Sequence, residues 1–237
     1  IRHLVYPCNG VLFTAGPEMI ELRNLCKSFV MNGVQKTVAD NITATFPDRT
    51  AVAVLGRNGA GKSTMLKMLS GTIMPDSGEV VTKGAISWPV GFAGSFHPDL
   101  TGLQNTRFIA RVYGVDTDEL VDFVADFAEL GSHFNLPTRT YSSGMRARLA
   151  FGVSMGIKFD TYLVDEVTAV GDASFKKKSE VLFRERMQSS SAVVVTHALG
   201  QVERLCDHVA VLEAGELTYF TDVMEGIRFH QSLMKND

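Results

Sequence analysis

Two β-rich pieces, Ile20 to Leu25 and Ile42 to Phe46, flank an Asn32-Gly33 turn signal and predict an antiparallel sheet region. Ala51 to Leu55 follows as an unbroken apolar strand, and Lys62 to Ser70 as a helix that Gly71 terminates. Asp76-Ser77-Gly78 reads as a turn before a short strand, Glu79 to Thr82. Residues 88 to 100 are rich in glycine, phenylalanine and proline without a period, which predicts an ordered loop. From Thr106 to Ile157 the pattern is helical, and Leu120, Phe123, Val124 and Phe127 share one face at i, i+3, i+4 and i+7. Thr161 to Val164 and Ala192 to Thr196 are short continuous apolar runs, as expected of parallel strands covered on both faces. Asp207 to Thr218 predicts a hairpin turning at Gly215, and Val223 to Met234 an amphipathic helix.

The stretch between the first apolar strand and its helix carries the most specific chemistry. Gly56-Arg57-Asn58-Gly59-Ala60-Gly61-Lys62-Ser63-Thr64 is the pattern G-x-x-x-x-G-K-[ST], placed where a phosphate-binding loop has to stand. Its glycines let successive backbone N–H groups turn into one anion-sized hollow, and the helix opening at Lys62 adds its positive dipole end. Lys62 is placed to reach the outer phosphates, and the Ser63 hydroxyl to ligate Mg²⁺. The loop predicts binding of a nucleoside triphosphate.

Three further segments acquire meaning beside that loop. Leu163-Val164-Asp165-Glu166 is an apolar strand ending in two acids, one suited to hold Mg²⁺ and the next to act on a water aimed at the terminal phosphate. A surface Asp-Glu pair is common, so the pair speaks only together with the loop; the expectation is that Lys62 and Asp165 lie on successive core strands. His197 ends the strand Val193-Val194-Val195-Thr196 and is placed to donate to a terminal phosphate oxygen. Tyr141-Ser142-Ser143-Gly144-Met145 opens a helix whose apolar positions Met145, Leu149, Val153 and Ile157 step by four. By itself this is an ordinary helix cap that also offers N–H groups and hydroxyls to an anion.

Composition trims the alternatives. Hydrophobic residues make up 45% and charged residues 21% of the 237, ordinary for a globular chain. A net charge of -3 argues against nucleic acid as the main partner. Cys8, Cys26 and Cys206 are odd in number and far apart, which fits a reducing cytosolic compartment rather than a disulfide framework. No apolar run reaches the length of a membrane span. The fold class expected is α/β: a P-loop NTPase core of mostly parallel sheet flanked by helices, an N-terminal antiparallel β region, and a helical sub-domain at about 88–157. Residues 1–17 read as an extension ahead of one domain, 18–237.

Taken as a set, these motifs resemble the ATP-binding subunit of an ABC transporter, from about Ile20 to about Phe220. On that resemblance residues 56–64 stand at the Walker A loop and 162–166 at the Walker B strand with Glu166 as catalytic base. Ser142, Ser143 and Gly144 stand at the signature motif, Asp172 at the D-loop aspartate, His197 at the switch histidine and Phe29 at the aromatic that stacks on adenine. The resemblance implies ATP and Mg²⁺ as ligands, and a head-to-tail homodimer that closes on ATP between the Walker A loop of one copy and the signature residues of the other. It further implies a separate transmembrane permease docking on the helical sub-domain, with Phe92, Phe96 and Phe108 as candidates to line the groove. The subunit would then sit at the cytoplasmic face of the bacterial inner membrane.

Three departures from the commoner family pattern narrow the resemblance. The signature reads Tyr-Ser-Ser-Gly-Met, the D-loop Ala169-Val170-Gly171-Asp172, and Val167 stands where proline is usual. With residues 94–102 these look like the polysaccharide-exporting branch, and with the chain ending at Asp237 the capsular exporters fit best. O-antigen and teichoic acid exporters are the alternative, and a non-transport ABC ATPase a more distant one. The family's usual glutamine before the helical arm has no match between Trp88 and Leu100, which leaves its role to water and backbone near Ala93, Gly94 and Ser95, or to His97 and Asp99. Lys176-Lys177-Lys178 reads as a solvated helix face, and His3, His133, His208 and His230 show no ligand spacing.

Overall fold

The computed structural model describes residues 20–31, 33–91, 94, 96–165 and 173–235. They divide into two compact units. One holds Trp88–Lys158 and the described part of Val167–Arg186; the other holds the rest.

The larger unit is built on two sheets. β1 (Ile20–Met31) and β2 (Val34–Phe46) form a long antiparallel hairpin, and β4 (Ser77–Thr82) pairs with the far side of β1. Between β2 and β4 come β3 (Ala51–Leu55) and α1 (Lys62–Leu69). The second sheet continues with β5 (Ile86–Val90), β6 (Thr161–Asp165), β7 (Ser191–Val195), β8 (His208–Glu213) and β9 (Glu216–Phe220), in the order β5-β6-β7-β3-β8-β9. β6, β7, β3 and β8 run parallel, and β9 returns antiparallel from the turn at Ala214-Gly215. All five residues of β3 and of β7 are buried, because a strand covered on both faces has no polar side to show. One core joins both sheets: Leu22, Leu25 and Ile42 pack with Val52, Val54, Leu66, Leu163, Val193 and Leu212.

The smaller unit is helical. α2 (Gly102–Tyr113) starts with a capping box in which Thr101 and Gln104 satisfy each other's backbone N–H groups. α3 (Thr117–Ala128) buries Leu120, Val124 and Phe127 on the expected face, while Phe123 is half-buried. α4 (Ser143–Gly156) and the part of α5 (Ala173–Met187) up to Arg186 complete it. Phe127 meets Phe151 and Phe175, with ring centroids 5.7 and 5.3 Å away. The remaining helices, α6 (Leu199–Leu205) and α7 (Val223–Lys235), belong to the larger unit, where Gly226 of α7 lies against Val209 of β8.

The structure corrects the sequence reading at several points. β1 runs on to Met31; register shifts between Leu22 and Ser28 break the period-two pattern that marks a strand. The expected turn at Asp76 is a cross-link, its carboxylate accepting from Ser28 N at 2.7 Å and Lys27 Nζ at 2.6 Å, and Ser77 and Gly78 already belong to β4. Residues 88–90, expected in a loop, end β5; this is an edge strand, where Pro89 is tolerated. Lys178 is only half-exposed: its ammonium caps the end of α3, at 3.2 Å from the carbonyls of Asp126 and Phe127 and 2.6 Å from Glu129 Oε1. Lys176 and Lys177 are exposed as expected.

Candidate functional site

The loop between β3 and α1 is shaped by two glycines that no other residue replaces. Gly56 has φ 155°, and a Cβ there would overlap the carbonyl of Leu212 at the end of the neighbouring β8. Gly61 caps α1 with φ 111°, and a Cβ on it would stand 2.8 Å from Val38 Cβ. Inside the loop, Ala60 N donates to Arg57 O at 3.1 Å. Lys62 is buried, 6% exposed, and its ammonium donates to the carbonyls of Gly56 at 2.8 Å and Arg57 at 2.9 Å. The charge is thus held beneath the loop and aimed along it. Ser63, next on the helix, is exposed, as are Asn58 and Gly59, while Thr64 is half-buried.

Sheet order decides which side chains come near this loop. Lys62 follows β3 and Asp165 ends β6, and β7 lies between those strands, so they are not neighbours as the sequence suggested. The inserted strand is the one that ends toward His197. Asp165, exposed, pairs in register with Val195, and Val54 of β3 pairs with the same residue from the other side. The C-terminal ends of three parallel strands therefore bring the glycine loop, His197 and Asp165 to one edge of the sheet, where ligands of open α/β sheets bind. Thr196 is buried and shapes the turn that presents His197: its hydroxyl accepts from Ala198 N at 3.1 Å and donates to Gln201 Oε1 at 3.2 Å. The His197 side chain is exposed. Glu166 and Asp172 lie outside the described residues.

Phe29 lies in β1, half-buried, with the ammonium of Lys27 5.4 Å from its ring centroid. In the helical unit, Ser142 caps α4, its hydroxyl accepting from Met145 N at 3.2 Å. Arg146 donates to Tyr141 O at 2.9 Å, and the buried Tyr141 donates its hydroxyl to His133 O at 2.7 Å. Ser142 and Ser143 are exposed at the head of the helix, with Gly144 half-buried behind them. Asp99 is paired with Arg139 at 2.5 Å and donates its N–H to His97 Nδ1 at 3.3 Å. Ala93, Ser95 and Phe92 are outside the described residues; Phe96 is half-buried and Phe108 exposed.

One neighbour of the loop escaped the sequence reading. His230 of α7 is close enough to Lys62 and His197 to feel both charges, and burial first, then Lys62, hold its imidazole below the usual histidine range. Glu213, at the end of β8, pulls the other way. No local spacing could have signalled this, since α7 comes to the site only by packing on β8.

A strand, a glycine loop with a buried lysine, and a helix at the carboxyl edge of a mostly parallel sheet define a P-loop nucleoside triphosphatase. Residues 39–169 match the family model described as ABC transporter. The chain is 47% identical over 88% of its length to "Polysialic acid transport ATP-binding protein KpsT" of Escherichia coli, covering 95% of that protein. It is 39% identical to "Capsule polysaccharide export ATP-binding protein CtrD" of Neisseria meningitidis, over 91% of this chain and all of that one. The fold is also that of the dimeric ATP-binding cassette MJ0796 solved with ADP and Pi, at TM-score 0.72 and 23% identity over 84% of this chain and 96% of that one. The chain belongs to the ABC transporter family, as one of its nucleotide-binding ATPase subunits.

Proposed function

We propose that this chain is the ATP-hydrolysing subunit that powers export of a capsular polysaccharide across the bacterial inner membrane, through a separate transmembrane permease. The observation that carries the ATPase half is the buried Lys62 held by its own loop at the sheet edge shared with Asp165 and His197. The cargo half is supported by the likeness to the two polysaccharide-transport subunits over 88% and 91% of this chain. No described helix is long and apolar enough to cross a membrane. In this reading the pore belongs to the permease, and this subunit reaches the cytoplasmic face by docking on it.

The residues divide the work as follows. The loop of Gly56, Arg57, Asn58, Gly59, Ala60 and Gly61 and the N–H groups at the start of α1, with Lys62 and Thr64, cradle the phosphates, and Phe29 stacks on adenine. The Ser63 hydroxyl and the Asp165 carboxylate are exposed hard oxygen donors that fit Mg²⁺, which supplies neutralisation of charge on the outer phosphates. Glu166 takes the proton of the attacking water, and His197 donates to the terminal phosphate. Ser142, Ser143 and Gly144 of a second copy cover the nucleotide from the other side, with Asp172 at the dimer seam. Residues 18–237 form this cassette, with 88–157 as the sub-domain that meets the permease.

The test is a pull-down from solubilised membranes with Glu166→Gln protein and Mg-ATP. A polytopic permease with capsule-assembly proteins should co-purify, and hydrolysis should slow by roughly 10²–10⁴ fold with ATP still bound. Recovery of ribosomes or DNA with no membrane protein would remove the transport assignment. Near-normal turnover would remove Glu166 from its role.

A further inference from the structure

The β1–β2 hairpin carries a cation that the phosphate-loop motif does not include. Lys36 lies on β2, exposed, and its ammonium stands 3.0 Å from where a Cβ on Gly59 would be, over the middle glycine of the loop. The strand that carries it is held against the loop and against the turn after β8. Val38, two residues on, is buried against Gly61, and Asp40 N donates to Gly215 O at 2.8 Å beyond the end of β8. The Lys36 side chain forms no ion pair or hydrogen bond with any described residue, whereas Lys27 and Arg23 on the adjacent strand both meet carboxylates.

The register adds an independent observation. Phe29 of β1 and Lys36 of β2 are direct cross-strand partners, so their side chains leave the hairpin on the same face. An aromatic ring and a cation are thus presented side by side, and the cation already reaches the phosphate loop. This places Phe29 on the loop's side of the hairpin, which sequence position alone could not do.

We propose that Lys36 is a further phosphate-contacting residue of the nucleotide site, paired with Phe29 so that one rung of the hairpin addresses both the base and the phosphate chain of a bound nucleoside triphosphate. An ammonium set beside converging N–H dipoles lacks a counter-charge until an anion arrives, and the phosphates supply it. The proposal rests on the nucleotide site described above and extends it to a strand outside the loop.

Full-length protein is titrated with Mg-ATP and, separately, with adenosine, using wild type, Lys36→Met, Lys36→Arg and, as a control for the site itself, Lys62→Met. The methionine variant should bind ATP about five- to twentyfold more weakly and adenosine unchanged, with arginine restoring ATP affinity to within about twofold. Its unfolding temperature without nucleotide should match wild type, since Lys36 is exposed. Unchanged ATP affinity in Lys36→Met, with Lys62→Met impaired, overturns the role of Lys36 and leaves the site intact. Equal weakening of ATP and adenosine also overturns it, since that pattern reports altered packing of the hairpin. If wild type itself fails to bind ATP, the nucleotide site and the role of Lys36 fall together.

Discussion

Lys62 donates its ammonium to the carbonyl oxygen of Gly56, 2.8 Å away and six residues back along the loop that Lys62 closes. The Arg57 carbonyl accepts from the same group at 2.9 Å. A buried charge is expensive unless its hydrogen bonds are met, and here the loop meets them while keeping the ammonium pointed along the phosphate path. Lys62→Met keeps the apolar stem and removes the charge together with its hydrogen bonds to the Gly56 and Arg57 carbonyls, of which the second still accepts from Ala60 N. Fluorescent-nucleotide titration should show affinity lowered by at least about tenfold. Affinity within twofold of wild type would detach Lys62 from the phosphates.

Two glycines one helical turn apart in α4 should respond oppositely to alanine. At Gly152 the nearest atom to an added Cβ is Phe127 Cδ1 at 3.5 Å, an ordinary contact, so Gly152→Ala should stabilise by about 0.5–1 kcal/mol through helix propensity. At Gly156 the added carbon would overlap Leu120 Cδ1 and come within 2.9 Å of Phe123 Cδ1. Gly156→Ala should destabilise by about 1–3 kcal/mol as α3 is pushed from α4. Urea denaturation of the two variants reads the sign directly. The same sign for both would contradict the packing described here.

Acid should weaken the fold through His230. Its imidazole titrates below its ordinary range, because burial and then the charge of Lys62 disfavour the protonated form, and its Nδ1 is buried without a hydrogen-bond partner. His197 adds to the effect and Glu213 opposes it. The unfolded chain therefore takes the proton more readily, so the stabilisation is complete above the unfolded value of 6.5 and is lost as pH falls through the lower folded value. The urea midpoint should drop below pH 6.5, and His230→Gln should flatten that drop. An unchanged pH profile in that variant would assign the drop to other groups.

Alkali should act at the far end of β8. Burial, and secondarily Asp207, push the Cys206 thiol from 9.0 up to about 12 and the Tyr219 phenol from 10.0 up to about 12. The folded state favours the neutral thiol, so this contribution is whole below pH 9 and is lost as pH rises toward 12. The Tyr219 hydroxyl also lies 2.6 Å from His208 Nδ1, a contact that ionisation would disturb. Stability should fall from pH 9 to 12, and a thiol reagent at pH 8 should label Cys206 only after denaturation. Rapid labelling of Cys206 in the folded protein would contradict its burial.

Much of this molecule was legible from residue order. Glycine spacing and an apolar run placed the phosphate loop before any coordinate, since backbone geometry at Gly56 and Gly61 admits little else. Continuous apolar runs gave β3, β6 and β7, and the four-residue step gave α4. These signals are local: each depends on dihedral preference or on one face of one element. Register was less legible, as the bulged β1 and the edge strand β5 with Pro89 show, because a strand's partner supplies half of its pattern.

What the sequence determined by itself is the chemistry available: a loop that turns N–H groups toward an anion, a lysine at the start of the helix that follows it, and two acids and a histidine at the ends of apolar runs. What only the tertiary structure decided is which of these meet. β7 enters between β3 and β6, setting the His197 strand between those of Lys62 and Asp165, and the packing of α7 on β8 brings His230 within range of Lys62. The pairing of β1 with β2 sets Lys36 beside Phe29 and over Gly59. Residues tens of positions apart have no shared local pattern, and only the burial of a common core, which leaves one strand order and one register, puts them side by side.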